Sequence, residues 1–335
     1  VFCFLAALVF VATVILSGHV EAQSAQWPKH LSWSSPSGSK WVTAVGLTAL
    51  VQKYTGVSST AMGPTGGTKA DLNNLKSGNA EVAWCSNPSA HQAWTGTGPY
   101  QKEGPQRYIR AFSGGYLAYW YIVASKKSGI MNFSDLKGRK WGGDVMIGSD
   151  VTDQVRDGLL EIHGMKRDDY KSYPITKFSE CVAMLKEGRA DAVSFFGAIP
   201  SPQALELVSS MDVSWVTITP EAASKVASVM PGHGPVTIPA GTYKGQPAFT
   251  VVGHYTIPIV QTNLNEEVVY GIMKAMFDHP QEMEAIHPSL KDFARKPVSA
   301  SVAVPYHAGA IRYYKEKGMW TSEMEELQKR LLSGK

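Results

Sequence analysis

Two short glycine-bearing segments, Thr65-Gly66-Gly67-Thr68 and Gly148-Ser149-Asp150-Val151-Thr152, stand directly ahead of stretches with helical periodicity. The first turn of a helix leaves backbone N–H groups unpaired, and the helix dipole adds partial positive charge there. Such loops are natural sites for a carboxylate or phosphate. They also have a plainer use, because Thr68 and Ser149 are good helix caps. Two such loops in successive units favour the binding reading, since a cleft between the units would turn them toward each other.

Aromatic residues form a second concentration. Trp84, Trp94, Tyr116, Tyr119, Trp120 and Tyr121 crowd the end of the first unit, and Phe195-Phe196-Gly197 closes a strand in the second. A core accounts for most of them; Trp84, Phe196 and Gly197 are placed to meet a ligand. Catalytic patterns are missing by comparison. The chain has no G-x-S-x-G elbow, no Walker loop, and no G-x-G-x-x-G after a strand, and its nine histidines fall in no spacing that marks a base or metal ligand. His287 and His307 read as loop and helix-start residues. No C-x-x-C or H-E-x-x-H occurs, so neither a structural metal nor a cofactor is expected. The formal net charge of +4 is spread along 335 residues without a basic run, which gives no support for a nucleic-acid partner.

These segments need elements to hold them. Trp41, Val45, Leu47, Leu50, Val51 and Tyr54 recur at helical spacing over Lys40 to Tyr54, after a linker from Gln23 to about His30. Ser58 to Met62 alternates weakly as a strand. Lys69 to Ser77 reads as a helix, with Thr68 and Asp71 as a capping box and Gly78 as its stop. Glu81 to Cys85 then forms a short buried strand. The rhythm repeats with strands at Leu117 to Ala124, Lys140 to Gly142 and Ala190 to Phe195, and helices at Val151 to His163 and Ser179 to Glu187. This alternation is the α/β signature. Pro231 to Pro247 reads as a long loop, Thr250 to Ile259 as β-rich, Asn265 to Asp278 as a helix from an Asn cap, and Ile311 to Leu332 as helical.

Val1 to Ser17 is almost wholly apolar, and Val20-Glu21-Ala22 fits a signal-peptidase site, so export with cleavage after Ala22 is expected. A membrane anchor is the competing reading, although about 17 apolar residues is near the lower limit for a span. Cys3 would leave with the signal. Cys85 and Cys181 would remain, either as one disulfide or as two buried thiols.

Two longer motifs carry a resemblance. Ile238-Pro239-Ala240-Gly241-Thr242-Tyr243 with Gly245-Gln246, and Pro305-Tyr306-His307-Ala308-Gly309-Ala310-Ile311-Arg312-Tyr313-Tyr314-Lys315-Glu316, resemble signatures of the TAXI group. These are the extracytoplasmic solute receptors of tripartite (TRAP) transporters. Thr65-Gly66-Gly67, Leu75-Lys76-Ser77-Gly78, Asp135-Leu136-Lys137-Gly138 and Val269-Tyr270 follow the group's order, so the likeness covers about Leu31 to Trp320. It implies a type II periplasmic-binding fold of two α/β lobes: residues 23–124 plus 232–335 as lobe I and 125–231 as lobe II, crossing near Ala124 and between Pro220 and Pro231. It also implies a monomeric periplasmic receptor that passes a small carboxylate, such as glutamate or 2-oxoglutarate, to TRAP membrane permease subunits. A secreted enzyme or sensory module on the same scaffold is the alternative.

Carried onto this chain, the pocket would take Ser34, Ser37, Gly38 and Trp41 from a first loop, Thr65 to Thr68 from a second, and the polar pair Ser86-Asn87 from a strand end. The other lobe would supply Gly148, Ser149, Asp150, Val151, Thr152 and the Phe196-Gly197 region. Three departures stand out. The group's glycine-rich first loop reads Ser34-Ser35-Pro36-Ser37-Gly38-Ser39-Lys40-Trp41, its GSGT loop reads Gly148-Ser149-Asp150-Val151, and His307-Ala308 replaces His-Pro. Asp150 would repel a carboxylate or meet an amine, and Trp41 and Trp84 could stack on an apolar part of a ligand.

Overall fold

The computed structural model describes residues 27–36, 38–147, 149–230, 232–296 and 302–334. The expected leader, Ser37 and Gly148 lie outside them. The strands are β1 (His30–Ser34), β2 (Ser58–Ala61), β3 (Val82–Ser86), β4 (Ile109–Ala111), β5 (Tyr116–Ser125), β6 (Lys140–Met146), β7 (Lys171–Ile175), β8 (Ala192–Gly197), β9 (Val213–Trp215), β10 (His233–Ile238) and β11 (Phe249–Gln261). Their order runs β2-β1-β3-β11-β5-β8-β6-β7, with β4 and β10 also on β11 and β9 on β5. Three parallel strands thus stand at each end, and two long strands separate them.

Each outer strand is short and is followed by a helix, as parallel pairing requires, and burial is greatest in the inner ones, β3 and β8, while β2 and β7 at the edges are largely exposed. β3 is buried at every position and carries the run Val82-Ala83-Trp84-Cys85, which shields it on both faces. β5 and β11 pair antiparallel from Tyr116↔Thr256 to Tyr119↔Gly253. At one end β11 takes β3 as a neighbour; at the other, β5 takes β8.

Two apolar cores lie on either side of this central pair. The first holds Tyr116 and everything packed around Leu31, Trp84, Ile257 and Tyr314; the second holds Ala118 to Ala124, Phe195, Trp215 and Val252. The chain therefore changes core between residues 116 and 118 and again between 252 and 257. This corrects the expected crossings. Ala124, Ala222, Ala223, Val226 and Met230 all belong to the second core, as do Ile238, Tyr243 and Phe249. The continuous apolar run of β5 gave no sign of where one core ends, since it is buried throughout. Residues 232–252 accordingly pack with the second core, not the first.

Other differences are local. The Gly- and Pro-rich stretch read as a loop contains β10, which pairs with β11 over six residues and has the alternating burial of a half-covered strand. The terminal helical stretch is two helices, Ala308–Glu316 and Ser322–Ser333, broken at Gly318. β1 begins at His30, where the expected linker ends, and was not foreseen as a strand. Asn265 caps its helix as read, its Oδ1 accepting the Glu267 N–H at 2.8 Å. Cys85 and Cys181 are free, buried thiols.

Gly115 sets where β5 may meet β11. Its φ is +70°, and a Cβ there would fall 1.6 Å from the Thr256 carbonyl oxygen. Gly115→Ala should destabilise the protein by more than ~3 kcal/mol in chemical denaturation, through strain and loss of pairing. A loss below ~1 kcal/mol would show that the crossing tolerates a side chain there.

Candidate functional site

The carboxyl ends of β1, β3, β6 and β8 all point at the space between the two cores, where ligands of open α/β sheets sit. Four helices begin there: Ser39–Thr55, Thr68–Lys76, Asn87–Thr95 and Asp150–Ile162. Their N-cap residues are Gly38, Gly67, Ser86 and Ser149, and none makes a side-chain capping hydrogen bond. The first three starts therefore keep N–H groups available to an anion, while at the fourth the Asp150 carboxyl takes the Asp150 and Val151 N–H groups.

Between them lies a small cavity of about 40 Å³. That is room for about three water-sized groups. Ser39, Lys40, Gly67, Thr68, Ser86, Ser149 and Val151 bring the four helix starts to its wall. Phe178 and Phe196 add apolar surface, and Tyr116, Ala118 and His254 form the floor on the central strands.

Lys40 is the cation of the site. It is half-buried, and among the described residues its ammonium makes no hydrogen bond or ion pair. Burial pushes its pKa down, while the fields of Asp71 and Asp150 oppose that shift. Asp71 is fully buried behind the second loop, where its Oδ1 accepts hydrogen bonds from Ser34 Oγ and Thr65 Oγ1, both at 2.7 Å. Its Oδ2 has no partner among the described residues. Desolvation raises its pKa to about 7, against the lowering effect of those two hydroxyls.

Asp71 does not form the expected capping box. The helix starts at Thr68 rather than Lys69, and Thr68 Oγ1 turns away from it to accept the Ser86 N–H at 3.0 Å. Asp71 instead ties the loops after β1 and β2 together, and Asn74 donates to Ser34 Oγ at 3.0 Å to complete the knot.

Asp150 spans the cleft. Its Oδ1 accepts from Ser89 Oγ at 3.2 Å, on the helix that follows β3, and its Oδ2 is buried without a partner among the described residues. Burial raises its pKa, with Ser89 as the main opposing influence. Two further contacts bridge the same gap. Gln92 and Gln154 exchange amide hydrogen bonds at 2.9 and 3.1 Å, and the Ala198 N–H donates to Ser39 Oγ at 3.2 Å. The helix carrying Asp150 is fixed from behind by buried Arg156, which donates to the Asp144 carbonyl and to Asp153, each at 3.1 Å.

Of the residues expected from sequence, Gly66, Gly67, Thr68, Ser86, Ser149, Val151, Phe196 and Gly197 line the cavity. Gly38 caps the helix that carries Lys40, and Ser34 and Thr65 act through Asp71. Thr152 is buried and shares a hydrogen bond of 3.2 Å with Ser149. The other assignments need correction. Trp84 is fully buried and packs on Tyr116 and Phe293, as a core residue of the all-buried β3. Trp41 is turned away, its Nε1 donating to the Met62 carbonyl at 2.8 Å. The Asn87 side chain accepts the Ala303 N–H at 2.9 Å and so holds the returning chain.

Ser39 and Lys40 fall within the first-loop stretch Ser34 to Trp41 that the resemblance assigns to the pocket, and both line it; sequence reasoning missed His254 altogether. His254 gave no signal, because a lone histidine in an apolar strand usually belongs to a core.

A two-lobed mixed sheet of this order, with uncapped helix starts around a central cavity, is the type II fold of periplasmic solute-binding proteins. The chain belongs to the NMT1-like family, whose sequence model matches residues 34–318. A structure from Bordetella bronchiseptica RB50 superposes with a TM-score of 0.50 at 17% identity, over 92% of this chain and 89% of that one. An arginine-binding protein mutant from T. maritima gives 0.44 at 14% identity, over 80% of this chain and 96% of its own. An amino acid ABC transporter substrate-binding protein from Streptococcus pneumoniae, bound to L-arginine, gives 0.43 at 10% identity, over 90% and 94%.

The state of Asp71 can be checked by stability. Its pKa rises from 3.8 unfolded to about 7 folded, so the folded state holds the proton more tightly. Its contribution is fully present below about pH 4 and is lost as pH rises through 7. Asp71→Asn keeps an acceptor for Ser34 and Thr65 and cannot ionise. Relative to this variant, the wild type should lose ~5 °C or more in Tm between pH 4.5 and pH 8. Parallel Tm curves for the two proteins would show that Asp71 is ionised throughout.

Proposed function

We propose that this protein is an extracytoplasmic receptor that captures a small carboxylate-bearing solute, an organic acid or amino acid, and passes it to membrane permease subunits. The observation that carries this reading is the Lys40 ammonium, without a protein partner, among four helix starts around one cavity. A desolvated cation beside free N–H groups favours an anion, and the cavity size favours a small one. Asp71 and Asp150 each keep a buried carboxylate oxygen without a partner among the described residues, which suits a ligand that also carries an amine. An amino acid satisfies both sides of that charge pattern.

The two signature stretches at Ile238 to Gln246 and Pro305 to Glu316 support the TAXI group and a TRAP-type permease as the acceptor. Val1 to Ser17, followed by Val20-Glu21-Ala22, supports export to the periplasm. Ser89–Asp150, Gln92–Gln154 and Ser39–Ala198 suit a hinged receptor whose lobes meet around the ligand.

Calorimetric titration with L-glutamate, L-aspartate, 2-oxoglutarate and succinate tests the reading directly. At least one should bind, and Lys40→Met should weaken it by about ten- to hundred-fold, the worth of one charge-assisted contact. The variant should be at least as stable as the wild type, since burial disfavours the charged ammonium and Lys40 makes no ion pair among the described residues. Equal affinity in both proteins would remove Lys40 from the site and the carboxylate reading with it.

A further inference from the structure

His254 sits on β11 where the chain passes between the two cores. It is in register with Ala118 of β5 on one side and His233 of β10 on the other. Its ring is 2% exposed and lines the cavity, yet among the described residues neither ring nitrogen has a hydrogen-bond partner. Buried imidazole nitrogens are normally satisfied, so this side chain is built to meet something that enters the cleft.

The ring is held from two directions. Phe196 packs on it at 4.7 Å between centroids and His233 at 5.2 Å, both edge-on. His233 Nδ1 lies 3.3 Å from the Met230 carbonyl, which can only accept, so Nδ1 carries its proton and its Nε2 is a bare acceptor. Thr256 Oγ1, two residues along the same strand face, is also buried without a partner among the described residues.

The charge state follows from the surroundings. Desolvation, the neighbouring His233 and the Lys40 charge all lower the His254 pKa, and burial lowers that of His233 to about 4. A neutral imidazole offers one N–H donor and one bare acceptor. A carboxylate satisfies only the donor and places its charge against the acceptor; an ammonium satisfies only the acceptor. A hydroxyl or a carboxamide satisfies both.

We propose that His254 is a specificity-determining residue that selects, among small acids, those carrying a second, neutral group able both to donate and to accept a hydrogen bond. The proposal rests on the reading of the cavity as a carboxylate site: Lys40 and the helix starts take the acid, and the hinge-strand floor reads the hydroxyl or carboxamide.

The test compares matched probes by calorimetry: L-serine against L-alanine, L-asparagine against L-aspartate, L-glutamine against L-glutamate, and L-malate against succinate. In the best-binding pair, wild type should prefer the hydroxyl- or amide-bearing member by about tenfold or more, the worth of a buried hydrogen bond. His254→Phe keeps the ring and should reduce that preference to about threefold or less. His254→Asn keeps a donor and an acceptor and should retain part of it. On wild-type protein, nitrogen NMR of the imidazole should show both ring nitrogens shifting with the preferred member and not with its counterpart, a readout that needs no variant. Plain acids that bind equally well and depend on Lys40 would overturn the role of His254 alone. No binding by any probe would overturn the carboxylate reading as well. A preference unchanged in His254→Phe, or ring nitrogens that do not move, would also overturn the role of His254.

Discussion

Everything in this molecule depends on the antiparallel pairing of β5 with β11. These are the only two strands long enough, among the described residues, to enter both cores, and their shared stretch from Tyr116 to Tyr119 is where one core gives way to the other. The pairing fixes the distance between the two sets of parallel strands and so between the helix starts that face each other. It also places the His254 ring on the cavity floor, where the chain passes from one core to the other. The hydrogen-bonded ladder is continuous there, so the two cores stay joined through the central strands. Gly115 marks the edge of that stretch, since only a residue without a side chain lets β5 approach the Thr256 carbonyl there.

Buried charge then sets the loops. Ion pairs in low dielectric are poor sources of stability but strong sources of geometry, because a misplaced partner leaves an uncompensated charge. In the second lobe, Arg156 and Asp144 hold the helix that begins at Asp150, with Tyr170 and Ser172 donating to the Asp144 carboxylate. In the first, Asp71 gathers hydroxyls from two loops. Both arrangements sit just behind a helix start and keep its N–H groups pointed into the cleft. Lys40 is the exception, lining the cavity with no partner among the described residues.

The fold was legible because its signals are local. Short apolar runs followed by glycine-stopped helices recur in order, and both glycine loops fell at helix starts that reach the cavity. Three things were not legible. The core boundary was invisible because β5 is apolar from end to end, so no change of pattern marks residue 117. Trp84 and Trp41 were credited with ligand contact because an aromatic at a strand or helix end looks the same whether it faces a core or a cleft; β3 turned out to be covered on both sides. The partner of Asp71 was misjudged because a Thr–x–x–Asp spacing fits a capping box, while its partners are Thr65, earlier in the same loop, and Ser34 at the end of β1. A long-range hydrogen bond such as that to Ser34 leaves no periodic trace.

Asp150 shows how the binding wall and the hinge are linked. Asp150 stands at the first position of its helix and does two things at once: its carboxyl takes the local Asp150 and Val151 N–H groups, and its Oδ1 accepts from Ser89 across the cleft. With Gln92–Gln154 alongside, the closed arrangement gains a few neutral or singly charged hydrogen bonds, each worth about 1 kcal/mol net in water-accessible surroundings. That is enough to bias a hinge but too little to lock it. A shift from mostly open to mostly closed requires about 5.5 kcal/mol of differential binding. The remainder must come from groups that find partners only when a ligand is present, and those are Lys40 and His254 on the cavity wall together with the helix-start N–H groups. In the proposed receptor, the polar groups without partners among the described residues would supply that remainder.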